Sequence, residues 1–184
     1  MLVELVRGKE DAGLGLGADP KRRQIVLNLK GLTQVDRDPD WIFGELHDPD
    51  TLLGCVPGCS LTRRLGPRKF EARIVLGAGP FKLMYSGTGR ILESDPGART
   101  ASMTLNTHPT WNLPHIRIQM AMAVRPRSRG SDIQMSFRVV VSDSTGLLTR
   151  TWVDPIACEL LDRTIQRVKQ RLEDPSPAPS PSAA

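Results

Sequence analysis

Aromatic residues are scarce in this sequence of 184 residues, with four Phe, three Trp and one Tyr. No interleaved stacking platform for nucleic-acid bases is present, and few bulky side chains are available to plug an enclosed space. Cysteine is rare as well, confined to Cys55, Cys59 and Cys158. An odd count, in a chain whose start (MLVELVRGKED) lacks the apolar core of a signal peptide, argues for a reducing, cytoplasmic setting. No apolar run approaches the roughly 18 residues needed to cross a bilayer.

The groups that chemistry would need are also missing. Cys55, Cys59 and His47 offer no fourth ligand at the close spacing that a structural zinc requires, so the two cysteines read as packing residues around a Pro-Gly turn. A Cys55–Cys59 disulfide would form only under oxidation. No serine stands in a nucleophile-elbow context beside His47, His108 or His115. GLGLGAD near the start resembles a dinucleotide loop, but Asp-Pro and a basic cluster follow it where a helix would have to open. Arg22, Arg23, Arg63, Arg64, Arg68, Arg125, Arg127 and Arg129 fall at tails and turns, which reads as a solvated basic surface rather than a nucleic-acid groove.

What is present is a change of period along the chain. The formal charge is +5, charged residues make up 24% and apolar residues 39%, enough for one folded domain with tails. Residues 1–22 are Gly-rich and read as a flexible extension, and DPSPAPSPSAA, residues 174–184, reads as a disordered Pro/Ser/Ala tail. Between them QIVLNLKGLTQV alternates as a strand. Asp38-Pro39-Asp40 and Asp48-Pro49-Asp50 each start a short helix, and Pro57-Gly58 ends the second. Strands are expected at 60–65, 69–77, 81–93, 99–107, 116–125 and 131–142, split by turn signals such as Gly66-Pro67 and Asp95-Pro96-Gly97. Asp154-Pro155 is expected to cap a last helix running to Glu173. Ile156, Leu160, Leu161, Ile165, Val168 and Leu172 form its apolar stripe.

A helix this apolar needs a partner, and the inner face of a curved sheet is the one available. Met84, Met103, Met120, Met122 and Met135 fall within the strands. Each alone fits a dry core; their clustering favours an adaptable apolar cavity between sheet and helix. The class expected is α+β, with about seven antiparallel strands wrapped around a long C-terminal helix.

This order resembles the helix-grip, START-like (SRPBCC) superfamily. One branch is matched closely by residues 38–96: the G-subunit family of carbon monoxide dehydrogenases. The stretches that carry the likeness are Trp41, Leu53 to Cys59, Phe70-Glu71-Ala72-Arg73-Ile74, Gly79-Pro80-Phe81 and Gly89-Arg90-Ile91. The resemblance implies a non-catalytic accessory protein of a molybdenum hydroxylase. Its resident cofactor would be none, its cargo a quinone or lipid, and its contact with the cytoplasmic face of the inner membrane peripheral, resting on the basic surface. No catalytic and no metal-binding residues are expected. Leu83, Tyr85, Met103, Met120, Met122, Met135 and Phe137 of the sheet would line the cavity, opposite Trp152, Leu161 and Ile165. The alternative is a helix-grip cyclase or hydrolase-like enzyme acting on an aromatic or polyketide-like substrate, for which Tyr85, His108, Asn112 and His115 are the candidate polar groups.

Overall fold

Residues 2–6, 23–78, 81–108, 114–143 and 150–174 are described by the structure, a computed structural model. Along the chain run β1 (Leu2–Val6), β2 (Arg23–Val35), α1 (Pro39–Leu46), α2 (Pro49–Cys55), β3 (Cys59–Gly66) and β4 (Lys69–Ala78). Then follow β5 (Phe81–Asp95), β6 (Thr100–His108), β7 (His115–Pro126), β8 (Ser131–Asp143) and α3 (Arg150–Glu173). The strands form one antiparallel sheet in the order β1-β2-β8-β7-β6-β5-β4-β3. The early strand β2 thus closes against the last strand β8, and β3 to β8 follow as a meander. The sheet has eight strands rather than about seven, because Leu2–Val6, read from sequence as part of an extension, pairs with β2. Residues 7–22 and 175–184 lie outside the described residues.

Alternation explains the strands. In β2, Ile25, Leu27 and Leu29 are buried while Gln24 and Lys30 are exposed. In β7, Ile116, Met120, Met122 and Val124 point inward and Arg117, Gln119 and Ala121 outward. One face of the sheet is therefore apolar and one wet. Both short helices start as their Asp-Pro signals demand. The Asp38 carboxylate accepts from the amides of Asp40 and Trp41 at 2.9 and 3.0 Å, and that of Asp48 from Asp50 and Thr51 at 3.2 and 3.3 Å. Gly58, at φ 73°, ends the turn after α2 against the carbonyl of Val75, where any Cβ would collide with backbone.

The last helix corrects one expectation. Asp154-Pro155 does not cap it: α3 already begins at Arg150, and Pro155 lies inside. Pro155 is the sixth residue of α3, past the first-turn amides that lack partners, so it gives up one backbone hydrogen bond, a cost set against the burial of the apolar stripe from Leu161 onward. Leu161, Ile165, Val168 and Leu172 are each at most 3% exposed and pack on the inner face of the sheet. On the solvent side Glu159 pairs with Arg163 and Lys169 with Glu173, both one helical turn apart. Among the described residues no helix is long and apolar enough to cross a membrane.

Candidate ligand-binding cavity

The sheet register shows where α3 touches the sheet and where it stands off. One lateral row runs Met122 (β7), Met135 (β8), Gly31 (β2). Here Gly31 presents no side chain, and Ile165 of α3 takes the space that a Cβ would fill. Helix and sheet are in direct contact at this row. The next row on the same face runs Met103 (β6), Met120 (β7), Phe137 (β8), Leu29 (β2). There the helix no longer reaches the sheet, and a cavity of about 190 Å³ opens between them.

Its floor is the row just named, together with Leu105, Ile118 and Ile116 of the central strands and Val139 and Val141 of β8. One side is built by Ile74 and Leu76 of β4, Leu83 and Tyr85 of β5, and Cys59 of β3, with Leu53 and Val56 at the end of α2. The roof is the first half of α3: Val153, Ile156, Ala157, Leu160, Leu161 and Thr164. Ile156 and Leu160 are only half-buried by protein, though they belong to the apolar stripe, because their inner surface faces this space. Leu83 lines the cavity and is 39% exposed, which marks the mouth.

Nearly all of the wall is carbon. The Thr164 hydroxyl donates to the carbonyl of Leu160 at 2.7 Å, leaving its methyl to the cavity. Burial pushes the Cys59 thiol up to about 11, so it is a neutral, weakly polar lining group. Tyr85 differs. The residue is 2% exposed and lines the cavity, and its hydroxyl has no hydrogen-bond partner among the described residues. Desolvation raises its pKa, so the phenol stays protonated at neutral pH. A space of this size holds several waters by volume, but a water needs two or more polar partners, and apolar cavities of ~150 Å³ stay dry and accept small apolar molecules.

Of the residues expected from sequence, Leu83, Tyr85, Met103, Met120, Phe137 and Leu161 line the cavity. Met135 and Ile165 do not: they are fully buried in the closed row at Gly31. Met122 belongs to the same row and faces a small cleft by Leu46 and Leu52. Met84 points to the other face and is 63% exposed. The Trp152 side chain and residues 109–113, including Asn112, lie outside the described residues. His108 is exposed, with Nε2 at 2.9 Å from Thr88 Oγ1, and neither it nor His115 reaches the cavity wall. Sequence reasoning missed the helix residues Val153, Ile156, Ala157 and Leu160. Ile156 and Leu160 already stood on the apolar stripe, and Val153 and Ala157 lie one turn before Ile156 and Leu161, which was the available signal. Among the described residues, no three His, Cys, Asp or Glu groups converge as a metal site, and all three cysteines are free.

Comparison with known proteins gives the same outline. The family model for the carbon monoxide dehydrogenase G subunit (CoxG) matches residues 31–173. Among curated proteins none matches. Solved structures that share the fold include a conserved protein from Geobacillus kaustophilus (TM-score 0.66, 16% identity, 79% of this chain and 95% of that one). A protein from Thermus thermophilus follows (TM-score 0.57, 13% identity, 79% and 96%). The Zhui aromatase/cyclase from Streptomyces is similar too (TM-score 0.55, 12% identity, 81% and 94%). At these identities the likeness establishes the helix-grip, START-like fold and nothing finer.

Proposed function

The chain belongs to the CoxG family, that of the carbon monoxide dehydrogenase G subunit, and from that premise we propose that it is a carrier rather than a catalyst. In this reading it holds an apolar ligand, a quinone or a lipid, in the cavity under α3, and links a carbon monoxide dehydrogenase-type molybdenum hydroxylase to the cytoplasmic face of the membrane. The observation that carries it is the carbon-lined space of about 190 Å³ between α3 and the row Met103–Met120–Phe137–Leu29. Burying a ligand there gains about 25 cal/mol for each square ångström of apolar surface removed from water. The mouth at Leu83, with net charge +5 on the chain, suits transfer at an anionic lipid surface.

A cyclase-like enzyme has less support. Such chemistry needs an acid and a base in reach of the substrate, whereas the lining offers a neutral phenol, a neutral thiol and a hydroxyl bonded to its own helix. Native mass spectrometry of the protein purified from its own membranes tests the carrier. A co-purified quinone or lipid is the expected result, and a consistently empty protein sinks the proposal.

A further inference from the structure

Tyr85 breaks the carbon wall at one point, and the described residues around it give its hydroxyl nothing to bond. Across β4 it stands beside Ile74, which in turn stands beside Cys59 of β3, so the row Cys59–Ile74–Tyr85 is apolar apart from a weakly polar thiol. Thr164 opposite is already committed to the carbonyl of Leu160. A donor on a cavity wall with no partner among the described residues is what a site looks like when the partner arrives with the ligand.

We propose that Tyr85 is the specificity-determining residue of the cavity, donating a hydrogen bond to a carbonyl oxygen carried by an otherwise apolar ligand. The inference rests on the cavity being a ligand site. A carbonyl fits better than other polar groups because it accepts one bond and brings no donor of its own. A carboxylate or an amine is disfavoured, since no charged side chain lines the wall to balance it. The position sets the orientation. Tyr85 is two residues along β5 from Leu83 at the mouth, so the carbonyl lies just inside the entrance and hydrocarbon fills the end at Met103 and Met120. Both a quinone ring and an acyl lipid present such an oxygen.

The test measures binding to the full chain and to Tyr85→Phe by equilibrium dialysis. The probes are 2,3-dimethyl-1,4-naphthoquinone, whose ring positions are blocked against thiol addition, 2,3-dimethylnaphthalene, and methyl laurate. Wild type is expected to prefer a carbonyl probe, and the variant to lose roughly three- to tenfold in affinity for it while binding the hydrocarbon unchanged. Loss confined to the quinone identifies a quinone site, and loss confined to the ester an acyl-lipid site. If all three probes bind and none depends on Tyr85, the inference is overturned while the cavity reading stands. If none binds wild type, the cavity reading falls and this inference with it. The infrared carbonyl stretch of the bound probe supplies a second readout on wild type alone. A shift to lower frequency is expected, and an unshifted band overturns the hydrogen bond even if the variant fails to fold.

Discussion

Gly31 of β2 lies directly beneath Ile165 of α3, and the Ile165 Cδ1 methyl occupies the space a side chain on residue 31 would need. This contact sets the closed end of the cavity. On one side of it the sheet and helix interdigitate; on the other they part around a carbon-lined space.

Replacing Gly31 by Ala forces Ile165, which is 1% exposed, out of its place. Overpacking of this kind costs about 1–3 kcal/mol. A lower urea midpoint with unchanged slope is the expected result. Adding Ile165→Val, which deletes the colliding methyl, should recover part of the loss; strict additivity of the two substitutions would show that the residues do not meet.

The two ends of the helix-facing surface respond differently to enlargement. Ala157 faces the cavity from α3, so Ala157→Phe fills open space and should abolish uptake of an apolar ligand with little change in stability. Met122 lies outside it and is 3% exposed, so Met122→Trp should lower stability by about 1–3 kcal/mol and leave ligand affinity nearly intact. Thermal melts and binding on both variants decide it. A reversed pattern would place the cavity at the wrong end of the helix.

Asp48 caps α2 and accepts from Arg64. Burial alone would raise its pKa, but the hydrogen bonds from Arg64 and from the amides of Thr51 and Asp50, with the Arg64 charge, hold it below the ordinary 3.8. A depressed carboxyl stabilises the fold above its unfolded pKa and loses that contribution as pH falls through the lower folded value. Asp48→Ala should therefore cost about 1 kcal/mol near neutrality for the lost cap. The gap between variant and wild type should narrow below about pH 4, where the unfolded chain begins to bind a proton at Asp48 that the folded chain still refuses. Urea midpoints across that range provide the check, and a constant gap would remove Asp48 from the acid response.

Cys59 lines the cavity with its thiol pushed up to about 11 by burial. At pH 8 roughly a thousandth of it is thiolate, so alkylation by iodoacetamide should be slow in the native protein and fast in urea. An apolar ligand in the cavity should slow it further. Rapid labelling of the folded protein would show that this wall is open to solvent.

Much of this was legible in the sequence. Every expected strand from residue 24 onward forms within a few residues of its predicted bounds, because alternation against one buried face specifies both period and register. Asp38 and Asp48 announce their helices by a local bond that needs no partner elsewhere. Asp154-Pro155 carries the same signal and misleads, since α3 begins at Arg150 and runs through Pro155 at its sixth position, where tertiary packing of the apolar stripe overrides the local signal.

Alternation also assigned Met120, Met122, Met135 and Phe137 to the inner face, and it could do no more. Those four side chains look equivalent along their strands, yet two line the cavity and two fall in the closed row that ends at Gly31. Which residues face inward is set locally, because a strand's period is a property of neighbouring residues. Which inward residues meet open space is set by how helix and sheet pack. That depends on the angle at which α3 crosses the sheet and on a glycine 134 positions earlier that lets the helix in at one row and not the next.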